Sequence, residues 1–243
     1  MKRTLVIGDI HGGLKALLQV LERAQVSEED TLIFLGDYVD GWSQSAGVMD
    51  YLIQLQRRQS CIFIKGNHDA WCEDWLRTGK PFPLWLQHGG QSTLDSYTAV
   101  SKEERAKHLA FFQAMPHYHI DSNKRLFVHA GFTSMHGVEK EFYESNFSWD
   151  RTLWEMAWSL RGVELDENSP TYPQRFRHYS EIFIGHTPTT HHGQDTPIFA
   201  QKLVNVDTGA AFKGKLTLMD IDTKEFWQSE PLPSLYPNEK GRN

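Results

Sequence analysis

Residues 3–12 read RTLVIGDIHG, a short apolar run that ends in glycine and is followed at once by polar residues. The apolar part is typical of a buried β-strand, and leucines then recur at helical spacing over residues 14–21. The same order repeats with a strand at 31–36, a helix at 46–58 and a strand at 61–65. Alternating strands and helices with short connections predict a parallel sheet covered by helices, hence an α/β fold.

The remainder of the chain is less regular. Residues 70–115 are Trp-rich and predict a helical insertion, and residues 132–180 predict an irregular polar insert with a helix near 151–161. Further strands are predicted near 117–121, 125–129, 181–184, 202–206, 215–221 and 225–228. We expect one domain over residues 1–230, and we expect the Pro-rich tail, residues 231–243, to be loosely held.

The composition limits the classes of partner. The 243 residues include 25 Lys and Arg against 31 Asp and Glu, a formal net charge of −6, and 40% are hydrophobic, which excludes wholesale disorder. An acidic chain lacks the positive field needed to coat a nucleic acid, so no nucleic-acid partner is expected. A phosphorylated substrate remains compatible, because bound metal ions can supply positive charge locally.

The lack of a recognisable targeting signal and the low number of cysteines point to a reducing compartment. The apolar run near the N-terminus is shorter than a signal peptide needs, and no stretch reaches the roughly 18 apolar residues of a membrane span. The two cysteines, Cys61 and Cys72, cannot build a disulfide framework. We therefore expect a cytoplasmic protein without a membrane partner, and the sequence leaves the oligomeric state open.

Polar side chains follow five of the predicted strands at the point where each strand ends. The residues concerned are Asp9, His11, Asp37, Asp40, Asn67, His68, His129 and His186. The carboxyl ends of parallel strands meet at one edge of a sheet, where ligands bind, so we expect these side chains to lie together.

This set has the chemistry of a metal site. Carboxylate and amide oxygens with imidazole nitrogens, and no thiolate, suit Mn, Fe or Zn. Six ligands are too many for one catalytic ion with open positions and about right for two ions that share a carboxylate. Each residue taken alone has a plain alternative, since Asp after a strand is usually a turn or helix-capping residue. Five such strand ends together favour the metal site.

The motifs resemble those of the calcineurin-like metallophosphoesterase superfamily. They stand in the superfamily's order as GDIHG at 8–12, GDYVDG at 36–41, GNHD at 66–69, His129, and GH at 185–186. This resemblance implies a four-layer α/β-β/α sandwich with a dinuclear metal centre. The stretch from Trp85 to Tyr97 further resembles bacterial and phage enzymes of the serine/threonine protein phosphatase type.

The resemblance implies a role for each motif residue. Six residues would bind two divalent ions, most simply Mn²⁺ with Fe or Zn as alternatives: Asp9, His11, Asp37, Asn67, His129 and His186. Asp37 would bridge the ions, and a hydroxide shared by them would attack phosphorus directly, without a phosphoenzyme. His68 would act as general acid with Asp40 as its partner, and Asn67 would also lie beside the substrate phosphate.

One departure from the pattern concerns phosphate binding. The superfamily's protein phosphatases have arginine after the second aspartate of GDxVD, whereas this chain has Gly41 followed by Trp42. Arg151 is the first candidate for a replacement, because a guanidinium binds phosphate through two parallel hydrogen bonds. Arg161, Arg175 and Arg177 are weaker candidates, and Trp42 is a candidate for lining the substrate cleft.

Three functions remain open from the sequence. The first is hydrolysis of phosphomonoesters, on a phosphoprotein or a small phosphoester, by a protein phosphatase-like enzyme. The second is hydrolysis of a dinucleoside polyphosphate of the diadenosine tetraphosphate type, or of another phosphodiester, on the same fold. The third is a scaffold without activity, which the complete ligand set together with His68 and Asp40 disfavours.

Overall fold

The structure, a computed structural model, describes residues 2–242. The strands are β1 (Thr4–Ile7), β2 (Thr31–Phe34), β3 (Ser60–Phe63), β4 (Tyr118–Ile120), β5 (Leu126–Val128), β6 (Ile182–Ile184), β7 (Ile198–Ala200), β8 (Leu203–Asn205), β9 (Thr217–Asp220) and β10 (Phe226–Gln228). The helices are α1 (Leu14–Arg23), α2 (Ser45–Leu55), α3 (Asn67–Thr78), α4 (Pro83–Trp85), α5 (Gln91–Ser96), α6 (Lys102–Gln113), α7 (Asn146–Trp149), α8 (Thr152–Ser159) and α9 (Leu232–Leu235).

The strands form two sheets, in the orders β10-β9-β1-β2-β3 and β4-β5-β6-β8-β7. β1, β2 and β3 are parallel to one another, while β9 pairs antiparallel with β1. Residues Leu5, Val6 and Ile7 of β1 are fully buried, because this central strand has the second sheet on one face and helices on the other. The predicted strand–helix–strand–helix–strand unit is confirmed.

The two sheets pack face to face through a shared apolar core. Val6 and Ile33 of the first sheet meet Phe127, Phe183 and Val204 of the second. The rings of Phe127 and Phe183 stack with their centroids 5.0 Å apart. Burying each of these side chains stabilises the fold by roughly 1.5–3 kcal/mol.

Helices cover the outer face of each sheet. α1 buries Leu17 and Val20 against the first sheet, and α8 buries Leu153 and Trp154 against the second. The layers therefore run helix, sheet, sheet, helix, which confirms the four-layer prediction. Among residues 2–242, no helix is both long and apolar enough to cross a bilayer.

Both insertions agree with the prediction, and one strand outside them was missed. Helices α3 to α6 occupy most of residues 70–115, and the insert at 132–180 is irregular except for short helices. The sequence-based assignment missed β7 at the edge of the second sheet. That strand has three residues, and its central Phe199 is 45% exposed, so it lacks the sustained apolar pattern by which strands are recognised.

The tail is packed over its described residues, which corrects the expectation that it is loosely held. Leu232 and Tyr236 are buried in the core that contains α1. The Tyr236 hydroxyl accepts a hydrogen bond from the backbone N–H of Lys15 (3.0 Å) and donates one to Gln44 Oε1 (2.6 Å). The prolines of this segment indicated a flexible coil, but the apolar residues between them have a surface to pack on.

Candidate metal centre and substrate cleft

The polar residues at the strand ends lie together beside the sheets, as expected. All are buried, at no more than 8% exposure: Asp9, His11, Asp37, Asp40, Asn67, His68, His129 and His186. Four of them have positive φ, namely His11 (50°), Asp37 (54°), Asp40 (69°) and His186 (66°). Residues other than glycine seldom adopt this conformation, and such strain clusters at functional sites.

The first group of potential ligands surrounds His11. Its Nε2 lies 3.5 Å from Asp37 Oδ2 and 3.9 Å from Asp9 Oδ2. Its Nδ1–H donates a hydrogen bond of 2.8 Å to the backbone carbonyl of Asp40. Because that bond fixes the proton on Nδ1, the Nε2 lone pair faces the carboxylates. A nitrogen of His68 also lies within 4.8 Å of the ligand atoms of His11 and Asp37.

The second group lies on the other side of Asp37. His129 Nε2 is 3.4 Å from Asp37 Oδ2 and 3.1 Å from Asn67 Oδ1, and His186 Nδ1 is 3.0 Å from the same Asn67 oxygen. His129 Nδ1–H donates to the backbone carbonyl of Leu35 at 2.9 Å. This bond directs the Nε2 lone pair of His129 inward, just as the corresponding bond does for His11.

Two glycines allow the carboxylates to approach the neighbouring loops. A Cβ atom added at Gly66 would lie 2.1 Å from Asp37 Oδ1, and one added at Gly185 would lie 2.1 Å from Asp9 Oδ1. Either addition would displace a carboxylate from the cluster. At these two positions glycine is therefore required to leave room for the carboxylates.

The donor set fits divalent cations. Nε2 of His11 and Nε2 of His129 face carboxylate or amide oxygens, and in the neutral rings each would offer a lone pair to a metal ion, which would displace the proton that Asp37 favours on His129. Burial lowers the pKa of His129, but the nearby Asp37 carboxylate more than offsets this and raises it to about 10. Burial, and then Asp207, raises the pKa of Asp9 well above its usual range. Oxygens and imidazole nitrogens that converge in this way are complementary to Mn, Fe or Zn ions.

His68 and Asp40 form a pair beside the ligand cluster. His68 Nδ1 lies 2.7 Å from Asp40 Oδ2, and the backbone N–H of His68 donates to Asp37 Oδ1 at 3.0 Å. Asp40 also accepts hydrogen bonds from Trp85 Nε1 (2.6 Å) and Thr93 Oγ1 (2.6 Å). Burial raises the pKa of Asp40 to about 8 and lowers that of His68 to about 3, because it disfavours each charged form.

The hydrogen bonds that Asp40 makes with His68, Trp85 and Thr93 orient its carboxyl group. The oriented carboxyl group in turn fixes the ring of His68. Trp85 and Thr93 were not assigned any site role from the sequence. They belong to the stretch from Trp85 to Tyr97, whose likeness to protein phosphatases was the available signal.

Two further carboxylates support the cluster without having been predicted as part of it. Asp69 accepts hydrogen bonds from the backbone N–H groups of Asp37 (2.7 Å), Tyr38 (2.8 Å) and Gly66 (2.8 Å), so it joins the loops after β2 and β3. Asp207 is 3% exposed and lies close enough to Asp9 to raise its pKa. The sequence alone does not show which backbone groups or carboxylates such an aspartate will contact.

A cavity of about 230 Å³ opens over the cluster. Its lining includes Asp37, Asn67, His68, Trp71, Trp149 and two arginines. The Trp71 and Trp149 rings lie 5.1 Å apart, and Trp149 is 44% exposed. These two tryptophans thus form an aromatic wall of the cleft.

Of the four arginines proposed from the sequence to bind phosphate, one lines the cleft and three lie elsewhere. Arg151 has an exposed side chain that lines the cleft. Arg175 and Arg177 instead donate hydrogen bonds to backbone carbonyls of their own insert, and Arg161 packs on the ring of Trp158. The second arginine of the cleft is Arg242, which the sequence analysis missed because it belongs to the tail and to no motif.

Trp42 does not line the cleft, so that expectation was wrong. Its side chain is fully buried, its Nε1 donates to the backbone carbonyl of Ala210 at 2.7 Å, and its ring stacks on Tyr236. The large apolar ring is removed from water by the tail that covers it.

Comparison with known sequences decides the family. The pattern of the calcineurin-like phosphoesterases matches residues 2–207. The chain belongs to the calcineurin-like phosphoesterase family. The predicted family, fold and enzyme class, a metal-dependent phosphoric ester hydrolase, are therefore confirmed. The metal-ion identity and the substrate are not decided by membership of the family.

Curated relatives resemble the chain over most of its length. The bis(5'-nucleosyl)-tetraphosphatase PrpE [asymmetrical] of Oceanobacillus iheyensis is 26% identical over 238 residues, which cover 91% of this chain and 89% of that protein. The protein of the same name from a Geobacillus strain is 24% identical over 229 residues, covering 87% of each.

Solved structures share the fold at lower identity. A serine/threonine phosphatase from Saccharomyces cerevisiae, described as similar to human phosphatase PP5, superposes with a TM-score of 0.60 at 16% identity, over 94% of this chain and 80% of that one. A metallophosphoesterase from Sphaerobacter thermophilus gives a TM-score of 0.56 at 17% identity, over 94% and 89%. At these identities the likeness concerns the fold.

Proposed function

We propose that this protein hydrolyses phosphoric esters or anhydrides at a dinuclear metal centre built around Asp37. The observation that carries the proposal is the convergence of imidazole lone pairs and carboxylate oxygens on both sides of this residue. His11 Nε2 and His129 Nε2 lie 3.5 Å and 3.4 Å from the same Asp37 oxygen. One carboxylate between two imidazoles matches a bridging ligand.

The proposed ligand set divides between two divalent ions. Asp9, His11 and Asp37 would hold the first ion, and Asp37, Asn67, His129 and His186 the second. When bound, the ions would lower the pKa of a water molecule between them and add positive charge beside the phosphoryl oxygens. Mn²⁺ is the first choice, with Fe or Zn as alternatives, because all three accept mixed oxygen and imidazole ligands.

In the proposed mechanism the negative charge of the bound phosphate would favour the protonated form of His68, which would then give its Nε2 proton to the leaving oxygen. Asp40 holds the Nδ1 side of the ring at 2.7 Å, which leaves Nε2 for the cleft that His68 lines. The hydrogen bonds from Trp85 and Thr93 keep the Asp40 carboxylate in place for this purpose. Proton transfer to the leaving group contributes roughly 10²–10⁴-fold to such reactions.

For the substrate we propose a dinucleoside polyphosphate first. The curated relatives with this activity in their names match about nine-tenths of the chain. The cleft also brings two arginines and the Trp71–Trp149 wall to the same ligand cluster. Arginines suit a run of several phosphates, and an exposed indole offers a face on which a base can stack.

Hydrolysis of phosphomonoesters by a protein phosphatase-like enzyme is the second candidate. It is favoured by the stretch from Trp85 to Tyr97, which supplies the donors to Asp40 and resembles bacterial and phage phosphatases of this type. The two candidates share the metal chemistry and differ in what the outer part of the cleft has to bind.

The experiment compares four substrates with purified, Mn²⁺-loaded protein: diadenosine tetraphosphate, bis-p-nitrophenyl phosphate, p-nitrophenyl phosphate and a phosphoserine peptide. We expect diadenosine tetraphosphate to be cleaved to ATP and AMP with the highest kcat/KM. Preference for the phosphopeptide would favour the second candidate. No hydrolysis with Mn²⁺, Fe²⁺ or Zn²⁺, despite two bound ions per chain, would refute both and leave a scaffold.

A further inference from the structure

The loop at residues 36–42 cannot provide the arginine that the superfamily's protein phosphatases have at this position. Gly41 stands at the position of that arginine, and its φ of +130° is unfavourable for any side chain. The next residue, Trp42, turns away from the cleft and donates its Nε1–H to Ala210. The phosphate side of the cleft therefore lacks a cation from this loop.

The same loop is where the C-terminal tail docks. The ring of Tyr236 stacks on Trp42 with centroids 5.2 Å apart and an interplanar angle of 24°. Glu239 accepts hydrogen bonds from the backbone N–H (2.9 Å) and the hydroxyl (2.7 Å) of Ser43. A Cβ at Gly241 would lie 2.7 Å from the Trp42 ring, so the tail passes directly against it.

The tail ends its course with Arg242 in the cleft. The backbone N–H of Arg242 donates to the carbonyl of Ala211 at 2.9 Å, which anchors the residue independently of its side chain. The side chain crosses the space left open by two glycines, since a Cβ at Gly41 would lie 3.4 Å and one at Gly89 3.0 Å from Arg242 Cγ. An arginine at position 41 would compete for this space.

The guanidinium lies beside the proposed reaction centre. Arg242 lines the same cavity as Asp37, Asn67 and His68. Its Nε atom is buried and has no hydrogen-bond acceptor among residues 2–242, while its guanidinium carbon lies 5.2 Å from the centroid of the Phe212 ring. A buried donor without an acceptor costs roughly 1–3 kcal/mol, so a ligand oxygen at this point would be favoured.

We propose that Arg242 binds the substrate phosphate in place of the arginine that position 41 lacks, and that the docked tail thereby completes the cleft. The proposal rests on the phosphoesterase function proposed above. It accounts together for Gly41, for the burial of Trp42 under the tail and for the buried Arg242 Nε that has no acceptor among the described residues. Arg242 is a phosphate-binding residue in this scheme, whereas Arg151 lies at the exposed rim.

The test measures binding of inorganic phosphate to Mn²⁺-loaded full-length protein by isothermal titration calorimetry, with metal content measured in parallel. For Arg242→Ala we expect unchanged metal content and a Kd about 10- to 100-fold higher, because charge-assisted hydrogen bonds to phosphate are lost. Arg242→Lys should give an intermediate Kd, since lysine keeps the charge and loses the paired donors.

Arg57→Ala is the matched control for the loss of one positive charge. Arg57 is exposed at the end of α2, before β3 begins, and thus at the edge of the sheet opposite to the cleft. We expect its Kd for phosphate to equal that of the wild type. Added guanidinium at millimolar concentration should partly restore phosphate binding to Arg242→Ala and leave Arg57→Ala unaffected.

The outcomes separate this proposal from the proposed function. If Arg242→Ala binds phosphate within twofold of the wild type, or if the wild type binds none, the inference about Arg242 is wrong. If the wild type hydrolyses diadenosine tetraphosphate while Arg242→Ala has unchanged KM and kcat, the proposed function stands and the inference fails. If phosphate binding depends on Arg242 but no ester is hydrolysed, the inference stands and the proposed function fails.

Discussion

Two regions face each other across the cleft, and they are encoded in different ways. The strand-end loops bring Asp9, Asp37 and His129 together through short motifs that are visible in the sequence. The tail brings Arg242 to the same cleft through packing on Trp42, about 200 residues away in the chain and without a motif. Chemistry that depends on a loop beside a strand is thus easy to recognise, and chemistry that depends on docking is not.

The largest effect is expected in the loop region, from Asp37→Asn. Replacing one carboxylate oxygen by an amide removes the ligand that both ions would share. We expect the metal content to fall from two ions per chain to at most one. Turnover should fall at least about 10³-fold below that of the wild type, which exceeds the roughly 10- to 100-fold loss caused by removing a group that only supports a ligand. Inductively coupled plasma mass spectrometry and a stopped assay measure the two quantities. Retention of both ions and full turnover would show that Asp37 does not bridge.

His68→Asn separates proton transfer from metal binding within the same region. We expect both ions to remain and kcat to fall roughly 10²–10⁴-fold, because no group is left to protonate the leaving oxygen. The loss should be smaller for a substrate with a good leaving group, such as p-nitrophenyl phosphate. His136→Asn, an exposed histidine in the irregular insert, is the control. An equal loss for good and poor leaving groups would contradict the assignment.

Tyr236→Ala tests the other region by loosening the tail. The substitution removes the stack on Trp42 and two hydrogen bonds. We expect stability to fall by about 3 kcal/mol and the Kd for phosphate to rise about tenfold at unchanged metal content. Thermal unfolding and phosphate calorimetry measure these effects.

Tyr236→Phe serves as the control for the tail variant. It keeps the ring and loses the hydroxyl, so phosphate binding should stay near that of the wild type. If Tyr236→Ala bound phosphate as tightly as Tyr236→Phe does, the position of the tail would have no bearing on the cleft.

The smallest effect is expected from Arg151→Ala. Its side chain is exposed at the rim, where solvent and salt screen its charge. We expect KM for diadenosine tetraphosphate to rise about two- to fivefold at low salt, with kcat unchanged, and the difference to shrink at 0.5 M NaCl. Steady-state kinetics at both salt concentrations measure this. A larger loss than that of Arg242→Ala would reverse the proposed order of the two arginines.

The sequence predicted the layers of the fold and eight of the polar residues that lie together at the strand ends, although not the supporting Asp69 and Asp207. This was possible because alternating apolar runs and the glycine-flanked motifs encode both locally. The missed strand β7 has only three residues, and its exposed Phe199 hides the pattern of burial. The packed tail was missed because its prolines indicate a coil, whereas its contacts with α1 and Trp42 are long-range.

The supporting hydrogen bonds were also beyond local patterns. Trp85 and Thr93 reach Asp40 from the helical insertion, 45 and 53 residues away. Their part in orienting His68 depends on how that insertion packs, which no spacing within a motif specifies. Long-range packing also explains why the sequence indicated Arg151 as a cleft residue but not Arg242, which reaches the cleft from the C-terminal tail.

A crystal structure of the Mn²⁺-loaded protein with bound orthophosphate tests the central claim most directly, because it shows the loops and the tail at once. We predict two ions joined by Asp37 and a phosphate whose oxygens accept hydrogen bonds from the Arg242 guanidinium. A single ion, or a phosphate bound beyond the reach of Arg242, would contradict the account.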